Sequence, residues 1–410
     1  MTQPEGTVVA AELEFAPGLA ALAELCVTRG VNLQPQQELI VSAPLEAAGL
    51  VRQLARCAYA RGAKSVTCLY EDPALVREHL AGSAEALDYA PVWLHRGIAE
   101  GLRAGAARLR IVGPYPDILS GVPADRIARA HSALADASRA EEAASSAVNW
   151  SVAPFVTGSW AKQVFPGEAE EQARRMLWNA VFQGTRVLDA DPLQAWDTGI
   201  RALNARRDAL QSRGFRYLRF FDGRTDLRLE LAEGHRWMGG SVVAKNGVEG
   251  IRSIPCEEVF TALRGNGTAG RVFFSRPLAL GGVLVEDLYA EFEHGSVATL
   301  RASRGLETFE RLIASDEGAR RLGEVGLVPA FSRVASTDVL FRNPLLDRNA
   351  ASHVAFGQSP SSALQRLEHC AANESAMHID CMLGHPSMQV DGITPTGNAI
   401  PVMREGAFVF

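Results

Sequence analysis

A histidine and an aspartate stand two positions apart near the end of the chain, in the run Met377-His378-Ile379-Asp380. On an extended strand, side chains two positions apart point to the same face, so His378 and Asp380 can reach one bound ion together. The run Cys381-Met382-Leu383 follows and indicates a strand with a buried end, where charged groups need a partner. A divalent metal is the natural partner, because imidazole and carboxylate are common metal ligands.

Further carboxylates and one imidazole extend this pair. Glu324 follows a helical pattern, His353 ends the run Asp347 to His353, and Glu257-Glu258 precedes the apolar pair Val259-Phe260. Such a set suits a hydrolytic centre that holds two metal ions. Each member also has a structural alternative: a hydrogen-bonded histidine in the core, an acid paired with neighbouring arginines, and a solvated acidic turn.

Length and composition limit the possible functions. The 410 residues exceed one ordinary core, and we expect two domains, residues 1–190 and 191–410. The formal net charge is −6 and like charges form no block, so we expect no nucleic acid partner and favour a small or peptide-like ligand. The chain shows neither a signal-peptide pattern nor an apolar run of membrane-spanning length, so we expect a cytoplasmic protein with no membrane partner. The six cysteines form no CxxC pair and are interpreted as mostly buried thiols.

The first half alternates short apolar runs with helical patterns. Glu38 to Ala43, Ser65 to Tyr70 and Leu109 to Gly113 are interpreted as strands, with an Ala- and Leu-rich helix over Pro44 to Arg61. This order predicts an α/β domain with a mainly parallel sheet. Ala43-Pro44-Leu45-Glu46 stands where a glycine-rich phosphate loop would begin, which argues against a nucleotide cofactor.

The second half changes to short alternating strands separated by glycine-containing turns, for example Arg216 to Phe221 and Asp226 to Leu231. This pattern predicts an α+β domain with an antiparallel sheet, and this domain carries the candidate metal site. We expect one helix over Leu306 to Val325, with Glu324 at its end. A second helix is expected to begin near Leu346 and to hold His353.

Motifs in the second half recur, in the same order and spacing, in a known family. They are Ile254 to Ala262, Thr225-Asp226-Leu227, Asp316 to Glu324, Asp347 to His353 and His378-Ile379-Asp380. Through these motifs, and through softer similarities in the first half, nearly the whole chain resembles the thermophilic-type metallo-aminopeptidases, the family of aminopeptidase T, aminopeptidase S and PepS.

The resemblance implies an exopeptidase that removes N-terminal residues from peptides. It also implies two divalent ions, usually zinc or cobalt, and a homodimer. Carried over position by position, the metal ligands of the family fall on Glu258, Glu324, His353, His378 and Asp380. Two such ions activate a water and polarise the scissile carbonyl. Glu257, beside a ligand, is the candidate for carrying a proton to the leaving amine.

One position departs from the family pattern. The family places a tyrosine seven residues after the histidine ligand, and Pro360 stands there in this chain. Proline has neither a hydroxyl nor a backbone N–H to donate. Loss of one donor to the oxyanion typically costs about a hundred- to a thousandfold in rate. We therefore expect altered specificity, with Ser359, Arg342 or another residue in place of the tyrosine.

Two other functions remain open at this stage. A relative of the fold is an iron-dependent ring-opening dioxygenase, and His353, His378 and Asp380 could supply its two histidines and one carboxylate. Glu258 and Glu324 argue against that function, since one iron has no use for them. The third possibility is an inactive member kept for binding or assembly. Five polar ligand types in one chain argue against it, because burying them together without a metal is costly.

Overall fold

The computed structural model describes residues 5–116, 118, 121–280, 283–365 and 371–410. The α-helices are α1 (Glu5–Leu25), α2 (Ala48–Ala60), α3 (Pro73–Ala81), α4 (Ala84–Leu87), α5 (Val92–Arg103), α6 (Ala124–Ser145), α7 (Gly158–Val164), α8 (Glu170–Gly184), α9 (Pro192–Arg213), α10 (Leu306–Ile313) and α11 (Pro344–Asp347).

The β-strands begin in the first half and dominate the second. They are β1 (Glu38–Pro44), β2 (Ser65–Glu71), β3 (Ala107–Val112), β4 (Trp150–Pro154), β5 (Tyr217–Phe221), β6 (Asp226–Leu231), β7 (Met238–Gly239), β8 (Ser241–Val243), β9 (Glu249–Ile251), β10 (Val259–Phe273), β11 (Leu278–Leu280), β12 (Val283–Val285), β13 (Tyr289–Glu293), β14 (Ser296–Arg301), β15 (Leu322–Leu327), β16 (His353–Gly357), β17 (His378–Met382), β18 (Gln389–Ile393), β19 (Ala399–Arg404) and β20 (Ala407–Phe408).

The chain divides into two compact units. The first contains Met1–Trp196 and Ser241–Ile254, and the second contains Asp197–Gly240 and Pro255–Phe410. The boundary expected between residues 190 and 191 stays a prediction. The return of 241–254 to the first unit has no counterpart in the sequence patterns.

The first unit is built on a parallel sheet, as predicted. Its strand order is β2-β1-β3-β4, and every neighbouring pair is parallel. Buried and half-buried residues alternate along β1, and α2 buries Leu50, Leu54 and Ala58 at helical spacing. Parallel strands need long crossover connections, and the helices between them provide these connections.

The segment 252–254 extends this sheet beyond β4. The backbone N–H of Val152 donates to the carbonyl of Arg252 at 3.1 Å, and the N–H of Ile254 donates to the carbonyl of Val152 at 2.9 Å. The outer edge of β4 is therefore paired with a segment that lies about a hundred residues later in the chain.

The second unit is built on an antiparallel sheet, also as predicted. Its described strands follow the order β17-β16-β15-β10-β6-β5-β18-β19-β20, with β7, β13 and β14 paired off this path. β10 is the longest strand and pairs with β6 on one side and with β15 on the other. The four strands β10, β15, β16 and β17 position the candidate metal ligands.

Two predicted helices are wrong in the region of these ligands. The helix expected over Leu306 to Val325 ends at Ile313, and Glu324 lies on strand β15. The helix near Leu346 is the single turn α11, and His353 opens strand β16. All residues of β15 and β16 are buried, so neither strand shows the alternation by which half-exposed strands are recognised.

The described cysteines, Cys26, Cys57, Cys68, Cys256 and Cys381, are free thiols. Cys370 lies outside the described residues. Burial raises the pKa of the Cys26 thiol far above its usual range, which keeps this thiol protonated and unreactive.

Candidate metal centre

Three adjacent strands carry four of the predicted ligands on one face of the sheet. Glu324 of β15 and Asp380 of β17 both pair with Ala355 of β16, so the two carboxylates flank a small side chain. His378 pairs with Gly357 in the same way. Paired residues of neighbouring strands share a face, and small residues between large polar ones leave space above the sheet.

His353 completes the row, because it pairs with Gly326 of β15. A Cβ atom at Gly326 would lie 2.4 Å from Nε2 of His353 and 2.3 Å from its Cε1. Only glycine therefore permits the imidazole to lie against this strand. Glu258, the fifth predicted ligand, directly precedes β10, whose first residues pair with β15.

The ligand atoms lie close together and are largely buried. The distances are 3.5 Å from His353 Nε2 to Glu258 Oε2, 3.7 Å from His353 Nε2 to Glu324 Oε1, 3.7 Å from His378 Nε2 to Glu324 Oε2, and 3.1 Å from His378 Nε2 to Asp380 Oδ1. The side chain of His353 is fully buried, whereas that of His378 is 37% exposed. One side of the cluster is thus accessible to solvent.

Backbone carbonyls orient both imidazoles. Nδ1 of His378 lies 2.9 Å from the carbonyl oxygen of Gln358, and Nδ1 of His353 lies 3.3 Å from that of Ala351. A carbonyl only accepts hydrogen bonds, so each Nδ1 carries a proton and donates it. In a neutral ring, Nε2 then presents its lone pair to the carboxylates. This arrangement is common for histidines that bind metals.

Glu258 is held on one side by a cation. The Nε of Arg348 lies 3.3 Å from Oε1 of Glu258, while Oε2 points to His353. Both Glu258 Oε2 and His353 Nε2 are buried and have no hydrogen-bond partner among the described residues. Buried polar atoms without partners are costly, and a metal ion between these two atoms would satisfy both. The residues of this cluster therefore fit the divalent metal that the sequence predicts.

The electrostatics of the cluster favour positive charge. Burial opposes a charge on His353, but the surrounding carboxylates outweigh burial and raise its pKa to about 9. The pKa of His378 is also raised to about 9, because Asp380 and Glu324 outweigh burial. Burial raises the pKa of Glu258. Burial acts in the same direction on Asp380, yet the two histidines hold the pKa of this carboxyl below its usual range. A cation in this cluster is stabilised by the carboxylates on every side.

The ligand atoms form two overlapping groups. One consists of Glu258, Glu324 and His353, and the other of Glu324, His378 and Asp380; within each group the atoms lie within 4.8 Å of one another. Glu324 belongs to both, with Oε1 facing one imidazole and Oε2 facing the other. The structure thus brings all five predicted ligands together.

Three further residues singled out by the sequence, Glu257, Ser359 and Pro360, lie within seven positions of a predicted ligand. Glu257 is buried, and its backbone N–H donates to Oδ1 of Asn349 at 2.7 Å. The Ser359 hydroxyl donates to the carbonyl of Leu263 and accepts from the N–H of Asn373, so both functions of this hydroxyl are in use. Pro360 precedes a single helical turn.

Sequence reasoning missed Arg348, which lies within the same Asp347 to His353 motif. The sequence did contain a basic residue five positions before the histidine ligand His353. The structure shows that this arginine is the cation beside Glu258. Sequence reasoning also missed the orienting carbonyls of Ala351 and Gln358. No side-chain pattern could have indicated them, since every residue carries a carbonyl.

An antiparallel sheet whose adjacent strands gather buried carboxylates and imidazoles has the ligand set of a protein that binds divalent metal. The profile of the family described as Thermophilic metalloprotease (M29) matches residues 15–408. The chain belongs to this family. It is a metallo-aminopeptidase, and membership implies binding of a divalent metal and a peptide substrate.

Relatives match over almost the full length. Aminopeptidase T of Thermus thermophilus is 45% identical over 404 residues, covering 96% of this chain and 99% of the relative. Aminopeptidase AmpS of Bacillus subtilis is 34% identical over 407 residues, covering 97% of this chain and 99% of the relative. The solved structure of wild-type AmpT from Thermus thermophilus has a TM-score of 0.91 at 44% identity, covering 97% of this chain and 100% of that one.

Among the helices of the described residues, none combines the length and apolar character needed to cross a bilayer.

Proposed function

We propose that this metallo-aminopeptidase hydrolyses the first peptide bond of peptides at a centre of two metal ions. The single observation that carries the proposal is the position of Glu324. Its two carboxylate oxygens each lie 3.7 Å from a different imidazole nitrogen. A carboxylate that faces two separate ligand groups is suited to bridge two ions.

The ligand assignment follows from the two groups. Glu258 and His353 would hold one ion, His378 and Asp380 would hold the other, and Glu324 belongs to both ligand groups. Two divalent ions, zinc or cobalt, would polarise the scissile carbonyl and supply an activated water in such a site. The exposed side of His378 gives the substrate access to the cluster.

We assign the proton transfer to the leaving amine to Glu257. Three features support this role. The residue is 7% exposed, it neighbours the ligand Glu258, and its backbone is fixed by Asn349. A general acid and base must be positioned before it can exchange a proton with the reacting group, and this anchoring provides the position.

Pro360 is the basis for altered specificity. It supplies no hydroxyl at the position that the family resemblance assigns to tyrosine. Ser359 cannot substitute for that hydroxyl, because its own is already engaged by Leu263 and Asn373. The oxyanion must therefore be stabilised by a donor of another residue or by a group of the substrate itself. A requirement for such a group would restrict the substrates that the enzyme accepts.

The geometry supports two ions better than one iron. A one-iron site would gather His353, His378 and Asp380 around a single point, but the ligand atoms of the described residues divide into two groups around Glu324. An inactive role is disfavoured by the unpartnered atoms of Glu258 and His353, since an empty site would leave both without compensation.

A homodimer in the cytoplasm remains the expected setting of the enzyme, and light scattering on the purified protein tests the dimer.

The test is metal content and turnover of Glu324→Gln. Wild-type protein loaded with zinc or cobalt is expected to hold two ions per chain and to release N-terminal residues from a peptide panel. Because Gln cannot bridge two cations as a carboxylate does, the variant should lose at least one ion and about a hundredfold or more in kcat/KM. The control is Glu317→Gln, since Glu317 is 87% exposed and pairs with Arg321 at the surface. Two tightly held ions in Glu324→Gln, or one iron per chain without peptidase turnover, would refute the proposal.

A further inference from the structure

The parallel sheet of the first unit contains a change of strand direction in its order. From β1 the chain adds β2 on one side, then crosses back to add β3 on the other side and β4 beyond it. In open sheets of this kind, the connections leave β1 and β3 toward opposite faces, and a crevice forms between the carboxyl ends of these two strands. Ligands of α/β proteins bind in that crevice.

A pocket of about 220 Å³ lies in this place. Its walls come from the end of β1 (Ser42, Ala43 and Pro44), from the end of β3 and the residue after it (Arg110 to Gly113), and from Glu71 at the end of β2. Pro73, Val76 and Tyr115 add an apolar side. All of these residues belong to the first unit, whereas the metal ligands belong to the second.

The pocket carries one charge of each sign. Arg110 pairs with Ser42 across β1 and β3, and Glu71 pairs with Pro44 across β1 and β2. Both charged residues therefore lie on the same face, on opposite sides of β1, and their Cα atoms are about 12 Å apart, since they are two strand spacings apart across the sheet and two residues apart along it. Among the described residues neither has an ion-pair partner, although the nearby Arg108 is paired with Glu141 at 2.9 Å.

The chemistry of the walls favours a zwitterion over phosphate. Phosphate sites at strand ends use several free backbone N–H groups, and the wall residues Pro44 and Pro73 have none. The carboxylate of Glu71 would also repel the negative charge of a phosphate. The volume is also below the range of about 300–1,000 Å³ that holds larger ligands.

We propose that this pocket binds a free α-amino acid. Arg110 receives the carboxylate, Glu71 receives the ammonium group, and Pro73, Val76 and Tyr115 contact the side chain. A small zwitterion with an apolar side chain matches the two opposite charges, the apolar wall and the size.

A free amino acid is the class of molecule that an aminopeptidase releases, and only this link to the reaction rests on the proposed function. The binding itself does not depend on turnover. The full-length chain freed of metal by dialysis against a chelator is therefore the protein for the first titration, because product binding at the metal centre is then removed.

The experiment is calorimetric titration of this protein with L-leucine. Wild type is expected to bind, and Arg110→Gln and Glu71→Gln are each expected to weaken binding about tenfold or more, since each removes a charged hydrogen-bond partner. Arg139→Gln, on the exposed surface of α6, is the control and should bind as wild type. N-acetyl-L-leucine, which lacks the ammonium group, should bind wild type more weakly and should lose this disadvantage in Glu71→Gln.

Turnover measurements on the metal-loaded protein separate the two proposals. Arg110→Gln should keep the kcat/KM of wild type, because Arg110 belongs to the first unit and all five metal ligands belong to the second. Absence of leucine binding at millimolar concentration, equal binding by wild type and Arg110→Gln, or binding of inorganic phosphate in place of leucine would each overturn the amino-acid site. None of these results would bear on the metal centre.

Discussion

Arg348 leaves only one oxygen of Glu258 open, because its guanidinium lies 3.3 Å from the other. We interpret Arg348 as a positioning residue that aims Glu258 Oε2 at the metal centre. Arg348→Gln is expected to weaken binding of the ion at Glu258 and His353 by about ten- to a hundredfold, as for other residues that orient metal ligands. Metal titration followed by calorimetry measures this change.

The control for Arg348 is Arg311→Gln, an exposed arginine of α10. Arg348→Lys should restore part of the affinity, since it returns the charge without the planar geometry. A purely structural role for Arg348 predicts a lower melting temperature with unchanged affinity for both ions, and that result would contradict the positioning role.

The two histidines make metal binding depend on pH. Their pKa values of about 9 mean that both imidazoles are protonated in the metal-free protein at neutral pH. A metal takes the neutral ring, so binding must release these protons, and affinity should rise from pH 6 to about pH 9. Calorimetry in two buffers of different ionisation enthalpy counts the protons released; equal counts at pH 7 and pH 10 would contradict the expectation.

The same shifts have the opposite effect on the metal-free fold. A histidine whose pKa is raised on folding stabilises the folded state below its unfolded pKa of about 6.5, and this contribution is lost as the pH rises through about 9. The metal-free protein should thus lose stability as the pH rises from about 6.5 to about 9. In the metal-loaded protein both imidazoles are neutral, so this pH-dependent loss should be absent.

At the level of single residues, the sequence was informative where side-chain type alone defines the chemistry. His378 and Asp380 could be paired from their spacing, and the other ligands from the family resemblance. The carbonyls that orient the histidines, and the direction of the Glu324 oxygens, depend on backbone geometry and could not be predicted from residue types.

Among the elements, strand β15 depends on its glycines. Gly326 lies under the His353 ring, and a Cβ atom there would lie 2.4 Å from Nε2. Gly326→Ala should displace the imidazole, cost about 1–3 kcal/mol of stability and reduce metal affinity at least tenfold. Thermal unfolding and metal titration measure the two effects.

Gly223→Ala is the matched control for Gly326→Ala, since a Cβ atom at Gly223 meets nothing within 4 Å. It should change neither stability nor metal affinity appreciably. Full metal affinity in Gly326→Ala would show that the ring can move without loss of its ligand role, contrary to the expectation.

These glycines also explain why the helix expected over Leu306 to Val325 was wrong. The amphipathic pattern is genuine up to Ile313, where α10 ends. Beyond it, Gly318 and Gly323 are poor helix formers, and a Cβ atom at Gly323 would lie 2.2 Å from the carbonyl oxygen of Gly357. Tertiary pairing in the sheet therefore determines the conformation of the segment. Three of the four strands of the parallel sheet were predictable because helical patterns separate them, whereas β4 was not predicted.

For the whole molecule, removal of metal should affect one unit selectively. Without a cation, the buried carboxylates of Glu258, Glu324 and Asp380 repel one another. Hydrogen exchange after chelation should therefore accelerate in β15, β16 and β17 but not in β1 and β3. At a thousandfold excess over Kd, bound metal stabilises by about 4 kcal/mol. Uniform acceleration in both units, or none after verified chelation, would contradict this expectation.

The return of 252–254 to the edge of β4 limits how this protein can be cut. A fragment that ends near residue 190 would keep β4 and lose the segment that pairs with Val152, so a row of backbone donors and acceptors would face solvent. Open strand edges recruit strands from other molecules. A truncated first half would consequently be prone to self-association, and a fragment that preserves this edge requires residues 241–254 to be grafted onto it by a linker.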